Sequence, residues 1–188
     1  MFSLLLKWIN EQNLSAFVFT SNVDGHFQQS GFPSHSINEC HGSLMHLQCI
    51  DQCGQEIWPV APEMRIDIDD KTLLARRPLP ACPRCGGLAR PNILMFSDWG
   101  WDPARTNGQS KRLEEWLGEN GESDLCIIEL GAGSNIPTVR MTCEETWKSS
   151  GGTLLRNVLM CRSWSNGTKH CLKKYNCAMF LWIYQSRN

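Results

Sequence analysis

Four cysteines set the strongest limit on how this chain can fold. Cys49-Ile50-Asp51-Gln52-Cys53-Gly54 and Cys82-Pro83-Arg84-Cys85-Gly86 form a C-x3-C and a C-x2-C pair, each closed by glycine. Each pair can offer two thiolates to one face of a tetrahedral ion, and the glycine lets backbone N–H groups turn toward the sulfurs. Four thiolates complete the coordination, so the pattern predicts a structural zinc rather than a catalytic one. The pairs stand further apart than in the commonest zinc ribbons. Residues 63–77 between them are polar, acidic then basic, as a surface excursion should be. The same residues also allow two disulfides, or a mixed site in which His46 replaces Cys49. Residues 2–9 lack a basic start and a small-residue cleavage site. No stretch reaches the ~20 apolar residues that cross a bilayer. The expected location is therefore intracellular, cytoplasmic or nuclear, where paired cysteines bind metal more often than each other.

On either side of the cysteine pairs the pattern changes. Leu5, Leu6, Trp8 and Ile9 fall at helical spacing, which predicts an amphipathic helix over residues 2–10 packed on a sheet. Ala16-Phe17-Val18-Phe19 then runs into the polar, glycine-containing cluster Thr20-Ser21-Asn22-Val23-Asp24-Gly25, a buried strand and its C-terminal loop. A second apolar stretch over residues 88–96 ends at Ser97-Asp98, with Trp99 and Trp101 following; these aromatics either line a groove or pack beneath the loop. Residues 110–117 read as a helix with its charges outward. A third strand, residues 124–130, is continuously apolar, as a strand buried on both faces must be, and runs into Gly131-Ala132-Gly133-Ser134. Three strand–loop units, each polar at its C-terminal end, predict an α/β fold: a Rossmann-like parallel sheet carrying a small inserted zinc-binding module. The 188 residues suit one such domain, and 41% hydrophobic with 20% charged residues argues against disorder. A net charge of -1 gives no electrostatic footprint for nucleic acid or an anionic membrane.

Ligands of open α/β sheets bind at the carboxyl ends of the strands. There, Asn22 and Asp24 offer an amide and a carboxylate, and Glu39-Cys40-His41-Gly42 adds an imidazole able to move a proton at neutral pH. A plain turn with a hydrogen-bonded histidine is the competing interpretation.

Taken together and in this order, the Thr20-to-Gly25 motif, Glu39-Cys40-His41-Gly42, Cys49/Cys53, Cys82/Cys85, Arg90-Pro91-Asn92-Ile93, Phe96 and residues 131–137 resemble the sirtuins, NAD-dependent protein lysine deacylases. The resemblance covers residues 2–157. It implies NAD and an acyl-lysine protein or peptide meeting between a Rossmann-like domain (1–45 and 92–157) and a zinc module (46–91). It makes His41 the general base toward a ribose hydroxyl of the cofactor. It also places Ser21, Asn22, Asp24, Gly131 and Ser134 at the cofactor, Pro91, Asn92, Ile93 and Phe96 along the acyl-lysine channel, and Cys49, Cys53, Cys82 and Cys85 on zinc. The chain departs from the family at several points. Ser21 stands for the usual glutamine, Ser97-Asp98 for Gly-Glu, and Gly131-Ala132-Gly133-Ser134 for Gly-Thr-Ser. The family's N-terminal Gly-Ala-Gly loop has no counterpart, so the Rossmann-like domain is expected to be incomplete there. Residues 158–188 are expected to be an atypical tail, disordered or out of register. The leading function is lysine deacylation. An ADP-ribosyltransferase or NAD hydrolase on the same fold, or an inactive zinc-bearing fragment, are the alternatives.

Overall fold

The computed structural model describes residues 2–120 and 125–157; the expectations for 158–188 lie outside them. The predicted N-terminal helix is present as α1 (Phe2–Glu11), followed by strand β1 (Val18–Thr20) and the short helix α2 (His26–Gln29). Strand β2 (Ile37–Glu39) lies parallel to β1, pairing Val18 with Ile37 and Thr20 with Glu39. Later in the chain come helix α3 (Ala104–Asn120), β6 (Cys126–Leu130), α4 (Thr138–Ser150) and β7 (Thr153–Asn157), with β6 and β7 again parallel.

Alternation along β1 explains how these parts are layered, since successive strand residues face opposite sides. Phe17 and Phe19 enter one core with Leu113, Leu125, Ile127, Val139 and Cys143, beneath α3 and α4. Val18 faces the other way, into a core with Ile9, Phe27, Phe32 and Ile37, beneath α1 and α2. Ile127 serves the first core, while Ile128 and Leu130 pack on the second. Both strands are thus covered by helices on both faces, which is why their sequences are largely apolar, with the buried Thr20 and Glu129 near their C-terminal ends. Each fully buried side chain of this size contributes about 1.5–3 kcal/mol.

The remaining strands build a separate antiparallel sheet in the order β4 (Trp58–Pro59), β3 (Gly42–Cys49), β5 (Ala89–Ile93). Here the structure departs from the sequence expectation: the apolar stretch before Phe96 is not a parallel strand but runs antiparallel to β3, from Cys49↔Ala89 to Gly42↔Ile93. The physical reason is the cysteine site. Two knuckles can face one another only if the strands carrying them lie side by side, and Cys49 ends β3 where β5 begins. A register break between Ser43 and Leu47 bulges Leu44, Met45 and His46 out of the β3–β5 ladder. The bulge frees the Leu44 N–H to reach the Val23 carbonyl, 2.8 Å away, and ties this sheet to the loop after β1.

Candidate active site and metal centre

The four cysteines converge. The sulfurs of Cys49 and Cys85 lie 3.6 Å apart, as do those of Cys53 and Cys82, and all four fall within 4.8 Å of one another. A tetrahedral zinc with Zn–S bonds of about 2.3 Å separates its ligands by about 3.8 Å. A disulfide needs about 2.05 Å, and His46 is not part of the cluster. The residues therefore fit a four-thiolate metal site. The backbone supports it: the Gly87 N–H points at the Cys85 sulfur at 3.4 Å, the Gly86 N–H at the Cys82 carbonyl at 2.9 Å, and the Arg84 guanidinium holds the Gly54 carbonyl at 2.7 Å across the knuckles.

Some distance along β3, the strand ends assemble a second constellation. The Cys40 N–H donates to the Thr20 carbonyl at 2.9 Å, and the Leu94 N–H donates to the His41 carbonyl at 3.0 Å. With the Leu44–Val23 bond, these contacts hold His41 against the loop after β1 on one side and the end of β5 on the other. Gly42, with φ 81°, makes the turn possible. A Cβ there would lie 2.0 Å from the Asn92 carbonyl oxygen, so only glycine lets the two backbones approach. In the β1 loop, the Asn22 amide donates to Asp24 at 3.4 Å, and Asp24 accepts from the His26 N–H at 3.1 Å. Ser21, Asn22, Asp24 and His41 are all half-buried, so their polar atoms retain access to a ligand. Burial pushes the His41 imidazole below its ordinary pKa of 6.5.

Other residues singled out in the sequence take different places. Asn92 is fully buried, its amide donating to Gln48 Oε1 at 2.9 Å and to the Asp102 carbonyl at 2.8 Å. Pro91 is exposed and Ile93 half-buried on the same strand, and Phe96 stands 87% exposed beyond it. Asp98 is gripped by the Arg90 guanidinium, which also donates to the Ile93 carbonyl at 2.9 Å; this pairing holds the Asp98 carboxyl below the usual range. Trp99 is exposed, so it does not pack beneath its loop. Gly131, with φ 70°, and the exposed Ser134 lie between β6 and α4. Their neighbour Ala132 packs on the same core as Phe19 and Cys40, which places this loop on the side of the sheet occupied by α3 and α4. The sequence places Glu39 in the His41 motif but gives it no role; it is 1% exposed at the end of β2. The signal was available: a carboxylate two residues before the candidate base, at the end of a buried strand.

The Sir2 family pattern matches residues 2–113, well over half of the chain. This chain belongs to the Sir2 family. Among curated sirtuin relatives, an NAD-dependent protein deacylase of Aeropyrum pernix is 30% identical over 152 residues, covering 80% of this chain and 51% of that protein. A probable bifunctional ADP-ribose hydrolase/ADP-ribosyltransferase of Fusarium oxysporum f. sp. cubense is 28% identical over 146 residues, covering 73% of this chain and 24% of that one. This sirtuin chain thus spans about half the length of the first of these relatives and about a quarter of the second. In fold it is similar to a Sir2 homologue solved as its NAD complex, with a TM-score of 0.54 at 20% identity over 82% of this chain and 51% of that one. Among the described residues, no helix is long and apolar enough to cross a membrane.

Proposed function

We propose that this sirtuin chain carries the site of an NAD-dependent protein lysine deacylase, acting on acyl-lysine proteins or peptides inside the cell. One observation carries the reading: the span around His41 is tied by backbone hydrogen bonds to the loop after β1, through Leu44 and Val23, and to the end of β5, through the His41 carbonyl and the Leu94 N–H. When bound, NAD would supply an activated ribosyl carbon to the acyl oxygen, with nicotinamide as the leaving group. The chain's own residues do the rest. Asp24 holds the nicotinamide carboxamide, and Asn22, beside Ser21, contacts the ribose and orders water. Gly131 and Ser134 approach the adenosine half. Neutral His41, its proton affinity lowered by burial, accepts the proton of a ribose hydroxyl. Pro91, Ile93 and Phe96 line the acyl-lysine channel; Asn92 shapes it through its backbone, since its side chain is committed to Gln48 and Asp102. The division at residues 46 and 91 belongs to the same proposal. Cys49, Cys53, Cys82 and Cys85 hold zinc and stay out of the chemistry.

The experiment is nicotinamide release from NAD with and without an acetyl-lysine peptide. Release that requires the peptide is expected, and His41→Ala should reduce it by about 100-fold or more while leaving zinc content unchanged. Retained turnover would refute the role of His41. The Fusarium relative's name favours a second reading, transfer of ADP-ribose to a protein. Release without acylated peptide, yielding a modified protein or free ADP-ribose, supports that one. Absence of NAD binding by calorimetry in the zinc-loaded chain marks an inactive fragment.

A further inference from the structure

Glu39 is an ionisable side chain that the proposed chemistry leaves unused, and it is buried two residues before His41. One face of α3 takes hold of it. The Glu39 N–H donates to Gln109 Oε1 at 3.0 Å, and the Thr106 hydroxyl donates to the Glu39 carbonyl at 3.2 Å. Its carboxylate accepts from Gln109 Nε2 at 3.4 Å and forms an ion pair with Arg105 in the first turn of the helix. The adjacent Asn38 amide donates to the Ser110 hydroxyl at 3.0 Å. Beyond Glu39, Cys40 is bonded to Thr20 and His41 to Leu94. The base therefore sits on a short span anchored by α3 before it and by β1 and β5 around it. A carboxylate at this depth is a poor way to gain stability, because an apolar pair of the same volume does as well or better. What the pair adds is a defined direction for the chain.

We propose that Glu39 and Arg105 are positioning residues for His41: their ion pair locks the end of β2 onto α3 and so sets where the imidazole stands. The proposal rests on the deacylase reading for His41. Its test uses Glu39→Gln and the double variant Glu39→Gln/Arg105→Met in the zinc-loaded chain, read by amide hydrogen exchange and by steady-state kinetics. In Glu39→Gln, exchange at Cys40 and Leu94 should quicken by about tenfold while Leu113 and Ile127 keep their protection. The value of kcat should fall by about tenfold or more, with KM for NAD unchanged, because a small displacement of a reacting group lowers turnover steeply. The double variant removes both charges; it should recover thermal stability but not kcat. Unchanged exchange at Cys40 and Leu94, or turnover that returns together with stability, overturns the proposal. If Glu39→Gln does not fold, Arg105→Lys is read in the same way, since it keeps the charge and loses the forked geometry. If the unmodified chain releases no nicotinamide with the acylated peptide, the deacylase reading fails alone, and exchange at Cys40 and Leu94 still decides the positioning.

Discussion

At His41, burial and the proposed role as base pull the same way. Desolvation disfavours the imidazolium, so the ring stays neutral and able to accept a proton at pH 7. The direction of this shift sets the pH behaviour. Between its lowered folded pKa and the unfolded value of 6.5, the unfolded chain binds the proton and the folded one does not. The stabilising contribution is therefore complete above pH 6.5 and is lost as the pH falls through the folded pKa. Turnover should hold steady from pH 7 down to about 6.5 and decline below it, and the His41 C2–H resonance should titrate with a midpoint under 6.5. A midpoint at or above 6.5 would contradict the desolvated setting. The residue type and the glycine beside it could be read from the sequence. That Gly42 must be glycine could not, because the constraint comes from the Asn92 carbonyl, fifty positions away.

Among the elements, the cysteine module was the most legible, and the strand after it the least. C-x3-C and C-x2-C are local patterns whose chemistry permits few arrangements, and the four sulfurs do meet. Residues 88–96 are apolar whether a strand lies parallel in a large sheet or antiparallel beside β3, so local sequence cannot separate the two. Pairing with the other knuckle decided it. The helix α4 went unread for a related reason: its buried positions, Val139, Cys143 and Thr146, include one polar residue and one cysteine, a faint stripe. Because both knuckles hang from β3 and β5, metal removal should act on that sheet first. Cys82→Ser, or extraction of the zinc by a chelator, should lower the unfolding midpoint by about 5–10 °C. It should also expose the Cys49 and Ala89 amides to exchange, while Ile127, in the β6–β7 sheet, keeps its protection. Simultaneous loss of protection at all three would show that the β4–β3–β5 and β6–β7 sheets unfold as one unit.

Across the whole molecule, the two parallel strand pairs are joined through packing. β1 and β6 each send side chains into both cores, and a charged cluster fastens the far end. Glu129 on β6 is 1% exposed and faces the Arg156 guanidinium of β7 through contacts of 2.7 and 2.8 Å. Arg156 also reaches Glu144 of α4 at 2.8 Å, and Arg140 of α4 lies 3.8 Å from Glu129. One strand end, its parallel neighbour and the covering helix thus share a buried negative charge, immediately before the Gly131 loop proposed to meet the cofactor. The continuous apolar run of β6 concealed this in the sequence, since a single glutamate in such a strand looks like its polar end. Removing one partner leaves that charge uncompensated, whereas removing both leaves only a packing change. Arg156→Met should therefore destabilise the chain by about 2 kcal/mol, less than breaking a fully buried pair because the Arg156 side chain is partly exposed and Arg140 remains nearby. Glu129→Gln/Arg156→Met should return most of that loss. Urea unfolding of the two variants measures both values. Equal destabilisation in the single and double variants would mean that Arg156 acts by packing its stem on β6, and that the ion pair does not hold the sheet to α4.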